Sequence, residues 1–136
     1  MDKQFKKAKA AIKHARDNLL KLHKVLMDWD RARYENEHGA LSPGKFLEKL
    51  MGDPRFEWLR VLSMLIVRID EAFDLDDGVS MEMLEGFRRE ILDIFDDESD
   101  EYSEFKENFR SAAPLLPEAG RLRADVLEAV DWRVEG

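Results

Sequence analysis

The stretch FKKAKAAIKHARDNLLKLHKVLMDWDRARYENEHG, residues 5–39, decides the fold. Phe5, Ala8, Ile12, Ala15, Leu19, Leu22, Leu26 and Trp29 recur at the three-and-four spacing that places side chains on one α-helical face. Beyond Trp29 the same line meets Asp30, Arg33 and Glu37, so a stripe built to enter a core ends in charge. The spacing predicts a first helix from about residue 4 to 38, closed by Gly39, which can take the left-handed conformation that ends helices. At 1.5 Å per residue it would run roughly 50 Å.

Working outward, Ser42 and Pro43 have the form of an N-cap and first helical position, opening a short helix through Phe46, Leu47, Leu50 and Met51 that Gly52 stops. Asp53 and Pro54 repeat that grammar and predict a central helix over 54–75. Trp58, Leu59, Leu62, Leu65, Ile66, Ile69 and Phe73 give it a broad core face. Met64 and Val67 lie opposite, which predicts cover on more than one side. DLDDG, residues 74–78, is a turn. Val79 and Leu84 can then pack across an N-cap at Ser80. Leu84, Phe87, Ile91, Ile94 and Phe95 define the next helix; Tyr102, Phe105 and Phe109 another. After PLLP, Leu122, Val126, Ala129 and Val130 define the last. No segment alternates with period two over a useful length. The expectation is an all-α, antiparallel helical bundle of four main helices, with an additional short helix between helices 1 and 2, forming one domain over 1–136. The first helix would overhang its neighbours, leaving an end for a partner or a second copy of the chain.

Composition narrows the function. At 136 residues the chain is long enough for a real core, and 44% hydrophobic with 38% charged residues describes a folded, helix-rich protein. With no Cys there is no disulfide framework, thiolate nucleophile or cysteine zinc site, and the chain suits a reducing cytoplasm. Lys3, Lys6, Lys7, Lys9 and Lys13 are not followed by an apolar segment, so no secretory signal is expected. VLSMLIV, residues 61–67, falls far short of the roughly 20 residues that span a bilayer, and a soluble protein is expected. The net charge of -8 conceals a dipole: residues 1–24 carry eight Lys/Arg and two Asp/Glu, residues 70–104 two and fifteen. A basic stripe can steer nucleic acid, but no aromatic side chain is interleaved with these lysines to stack bases. The expected use of the asymmetry is the basic helix folding near the acidic third.

Chemistry-bearing motifs are sparse. His14 and His23 fall about 180° apart on the first helix. Glu35-Asn36-Glu37-His38 is one Glu-x-x-His without the second copy that a paired metal site in a bundle uses. Asp74, Asp76, Asp77 and Gly78 lack calcium-loop spacing, since aligning the glycine puts Phe73 and Leu84 at the loop's first and last ligand positions. No phosphate loop is present, and no catalytic residue, metal or cofactor is expected.

What remains is a polar seam. If the first and central helices pack antiparallel, Asp30, Arg33, Tyr34 and Glu37 come toward Arg60 and Ser63, and His23 toward Asp70. Such half-buried charges need partners, and a self-paired network that sets helix register would provide them. The alternative is a cleft for a small anionic ligand or peptide carboxylate, formed by Trp29, Asp30, Arg33, Tyr34, Glu37, Arg60, Ser63 and Asp70, since Arg and aromatic side chains suit that task.

The strings RARYE at 31–35, HG at 38–39 and DPRFEWLRVLSMLIVRIDEA at 53–72 resemble a family of uncharacterised bacterial helical proteins. The resemblance covers roughly the first half of the chain. It implies a small bacterial cytoplasmic protein and brings no activity and no site residues. The expected function is a non-catalytic bundle acting through protein interaction, as a homodimer or with another partner.

Overall fold

The structure, a computed structural model, describes residues 2–132. Six α-helices and two 3₁₀ segments account for most of it, and there is no strand among the described residues. α1 spans Asp2–His38. Gly39 closes it with φ +94°, its N–H donating to the Glu35 carbonyl at 2.8 Å. α2 is Pro43–Gly52, capped by the Ser42 hydroxyl, which accepts from Lys45 N at 3.2 Å.

The central element departs from expectation. The Asp53 carboxylate accepts from Arg55 N at 2.9 Å and opens a 3₁₀ segment, Pro54–Leu59, before α3 begins at Arg60 and runs to Phe73. The tighter winding eclipses positions three apart, stacking the buried side chains of Phe56 and Leu59 on one face. After a turn in which Gly78 has φ +77°, the Ser80 hydroxyl caps α4, Met81–Phe95, by accepting from Met83 N at 3.1 Å. Val79 and Leu84, on either side of that cap, are both buried. α5 is Ser103–Ala112, preceded by Tyr102 at φ +58° rather than containing it. A second 3₁₀ segment, Ala113–Leu115, leads to α6, Pro117–Ala129.

α1 is the spine. Ala8, Ile12, Ala15, Leu19, Leu22 and Leu26 are all buried along it, each larger side chain contributing roughly 1.5–3 kcal/mol. Its most extensive partner is α6, and it also touches α3, α4 and α5. α3 runs antiparallel to it, as Arg16 to Asp70 and Asp30 to Trp58 require. α4 and α6 are antiparallel too: Arg88 donates to the Val130 carbonyl at 3.0 Å and Arg123 to that of Phe95 at 2.9 Å. Near the far end of α1, the rings of Phe46, Phe56 and Tyr34 meet at 5.6 and 5.8 Å, and Trp58, Phe105 and Phe95 continue at 5.9 and 5.8 Å. The overhang of α1 is therefore packed by its own chain.

Met64 and Val67 are not covered: they are 53% and 45% exposed, because the buried face of α3, with Leu62, Leu65, Ile66, Ile69 and Ala72, lies on the opposite side of the helix. No described helix is long and apolar enough to cross a membrane.

Candidate functional site

The anchor of the seam is Asp30, 2% exposed at the point where the apolar stripe of α1 ends. One carboxylate oxygen accepts the indole Nε1–H of Trp58 at 2.9 Å. The other accepts from Arg55 at 3.4 Å and lies 3.6 Å from Arg33. A buried carboxylate without such partners would be strongly disfavoured; here an indole N–H and two guanidinium groups converge on it. Arg55 also donates to Glu37 at 3.0 Å. That hydrogen bond, with the guanidinium charge, holds the Glu37 carboxyl below its ordinary range.

Aromatic rings surround this network. Trp29 meets Trp58 edge-on at 6.3 Å, and the Arg33 guanidinium lies 4.4 Å over the Trp29 ring. Tyr34 packs on Phe56 and on His38, at 5.8 and 4.6 Å, with Arg55 5.3 Å over its ring. Beside it, Glu35 accepts from Leu41 N at 2.7 Å and pairs with Arg31 at 3.4 Å, fixing the loop after Gly39.

The structure thus unites Trp29, Asp30, Arg33, Tyr34 and Glu37 but not the other expected members. Arg60 donates to the carbonyls of Leu50 and Met51, tying down the end of α2. The Ser63 hydroxyl meets only its own helix, at the Arg60 carbonyl, 3.5 Å away. Asp70 is engaged by Arg16 through two hydrogen bonds of 2.8 and 2.9 Å, not by His23. At this point the register of α3 against α1 is displaced from the expected one by about two helical turns, the separation of Arg16 from His23. The 3₁₀ segment contributes to the shift, since its six residues rise about 2.0 Å each instead of 1.5 Å. His23 is half-buried, and desolvation pushes its pKa below the ordinary value.

Arg55 and Trp58, the two decisive donors to Asp30, have no place in the expected cleft. By spacing Trp58 belongs to the apolar face, and its N–H is the signal that could have found it: a buried indole usually has an acceptor.

The network is nearly complete in itself. Among the described residues no buried side-chain nitrogen or oxygen lacks a hydrogen-bond partner. The adjoining concavity, bordered by Trp29, Ala32, Arg33, Glu35, Asn36 and Ala40, is wide open to solvent. No group of three His, Asp or Glu is placed to hold a metal ion among the described residues.

The charge poles meet at one cleft, bordered by Lys13 and Arg16 of α1 and by Asp70, Glu71 and Asp74. Lys3, Lys6, Lys7, Lys9 and Lys13 are exposed and form no ion pair among the described residues, and the same holds for Asp93, Asp96, Asp97, Glu98, Asp100 and Glu101. Arg16 to Asp70 is the ion pair that joins the basic and acidic segments among the described residues, and α1 packs against α3 and α4, which carry part of the acidic third. The acidic loop is instead held from beneath, where the buried Lys106 donates to the Ser99 carbonyl at 2.9 Å.

No family model, curated protein or solved structure matches the chain.

Proposed function

We propose that this chain is a small cytoplasmic, non-catalytic helical bundle, with α1, α3, α4 and α6 as its four main helices, that acts by protein association, first with a second copy of itself. The observation that carries this is the contrast between seam and surface. Asp30 is buried and satisfied by Trp58, Arg55 and Arg33, so the seam's polar groups already serve the fold. Outside it, Leu20, Met64 and Val67 are exposed, and Lys3, Lys6, Lys7 and Lys13 of the basic pole and Asp93, Asp97, Asp100 and Glu101 of the acidic one form no ion pair within the described residues. Exposed apolar side chains flanked by charge are the usual composition of a protein interface.

A second reading, binding of a small anionic ligand, draws on one feature. Arg33 is 46% exposed at its side chain and stacked on Trp29, presenting part of its guanidinium to the open concavity.

Native mass spectrometry of untagged protein purified without chelators separates the two. A dimer of unmodified mass supports association. A monomer with a reproducible adduct that Arg33→Ala removes supports the ligand and overturns the first proposal.

A further inference from the structure

We infer that α2 is a strap that opens as a unit while the rest of the bundle stays folded, uncovering an aromatic socket at the far end of α1. This goes beyond the association proposed above and does not depend on it.

The strap has one anchor. Of the ten residues of α2, Phe46 alone is buried. α5 has the same length and buries Phe105, Lys106 and Ala112; α6, at 13 residues, buries Ala119, Leu122 and Val126. Buried apolar contact is what opposes local opening, so α2 has the least to lose by leaving. Its other large side chains do little to hold it, since Leu47 and Met51 are 56% and 71% exposed.

The socket does not need the strap. The Phe46 ring meets Phe56 edge-on at 5.6 Å, and the Arg31 guanidinium lies 4.5 Å over it. Both partners belong to other elements, Arg31 to α1 and Phe56 to the 3₁₀ segment, against which α2 packs most. Each keeps company when Phe46 withdraws: Phe56 still has Tyr34 at 5.8 Å, Tyr34 has Arg55 over its ring, and Arg31 has Glu35 at 3.4 Å. Asp30 and its donors are untouched, because none of them lies in α2.

The remaining ties are polar and reach water. Ahead of α2, Leu41 donates to Glu35 at 2.7 Å and its carbonyl accepts from Arg31 at 3.0 Å; at the end, Arg60 donates to the carbonyls of Leu50 and Met51. Water can take over such bonds at small net cost. The backbone leaves helical geometry on both sides, at Gly39 with φ +94° and at Asp53 with φ -85° and ψ 126°, which supplies two pivots. Raised, the strap would show Phe46 beside Leu47 and Met51, and the socket would show Phe56. The bundle thereby carries an apolar surface that it can hide or display without unfolding.

Native-state hydrogen exchange of the full chain in low concentrations of urea tests it. The amides bonded within α2, residues 46–52, should have protection factors about a hundredfold or more below those of Ile12–Leu26, with a shallow urea dependence that marks a small opening. Phe46→Ala should lower α2 protection by about tenfold or more, and Phe46→Leu, which keeps an apolar anchor, by less. Ile91→Val trims the core at α4, whose extensive contacts are with α1, α3, α5 and α6. It should quicken exchange in α1 several-fold and leave α2 unchanged. If α2 and α1 share one protection factor and one urea slope, or Ile91→Val quickens both alike, α2 opens only with the whole domain and the inference falls. Exchange in α2 that ignores both Phe46 variants would equally overturn it, since Phe46 would then not be the anchor.

Discussion

Trp58 donates its indole N–H to the carboxylate of Asp30 across 2.9 Å, joining residues that lie 28 positions apart in the chain. The bond docks the 3₁₀ segment against α1 and sets the height at which α3 begins. Replacing Asp30 by Ala would strand the buried indole N–H and release Arg55. The expected cost is about 2–4 kcal/mol. A fall in the urea midpoint, followed by tryptophan fluorescence, checks it; a change near zero would mean the network does not hold the fold. Asp30→Asn, which can still accept from Trp58, should cost less.

The exposed bridge between Arg16 and Asp70 offers the contrast. Both side chains are partly in water, 27% and 51% exposed, and screening reduces what their two hydrogen bonds contribute. A double-mutant cycle with Arg16→Ala and Asp70→Ala should give a coupling of about 0.5 kcal/mol that shrinks with added salt. A coupling as large as the loss in Asp30→Ala would show that this pair, and not the seam, fixes the register.

His23 makes stability depend on pH. Burial lowers its folded-state pKa below the ordinary value of about 6.5, so the unfolded chain binds a proton first as pH falls. Its contribution is fully present above the ordinary value and is lost as pH drops toward the lowered folded-state pKa. His23→Gln should flatten the stability profile in that window. Glu37 acts lower on the scale: its hydrogen bond to Arg55 depresses the carboxyl, so its share is present above the usual glutamate range and disappears as acid protonates it. Glu37→Gln should flatten only that more acidic limb. Identical profiles for wild type and variant would contradict either assignment.

Much of this is legible in the sequence because it is local chemistry. Ser42, Ser80 and Asp53 cap where such residues do, Gly39 and Gly78 take positive φ, and the α1 stripe is buried as its spacing requires. What escapes is longer in range or finer in grain. The 3₁₀ winding of Pro54–Leu59 shares its opening signals with an ordinary helix, and that hides the register, hence Arg55 as the partner of Asp30 and Arg16 as the partner of Asp70. The pairing of α1 with α6 joins opposite ends of the chain, and no local pattern encodes it. Exposure of Met64 and Val67 is equally invisible, because an apolar side chain states no preference between a neighbouring helix and another molecule.

Lys106 underlies a further expectation. Its buried ammonium reaches only as far as the Ser99 carbonyl and there holds a loop whose own charges repel one another. Lys106→Met keeps the apolar stem and removes that bond. Amide hydrogen exchange over residues 96–102 should quicken several-fold while α1 is unaffected; unchanged exchange would place the loop's restraint elsewhere.

Gly39 should resist substitution for backbone reasons alone. With φ +94° and no atom within 4 Å of where a Cβ would stand, Gly39→Ala meets strain but no clash. A loss of about 1 kcal/mol in chemical denaturation is expected.

The partnership of α1 with α6 also has a bearing on biosynthesis. The first helix leaves the ribosome carrying Ala8, Ile12, Ala15 and Leu19, yet its most extensive cover lies in residues 117–129. Until that segment is made the stripe has only its smaller contacts with α3, α4 and α5, and a nascent chain with part of an apolar helix uncovered is a natural client for chaperones. The lysines that share the helix would meanwhile keep it dispersed. Charge that looks unused in the finished molecule would then do its service before the molecule is finished.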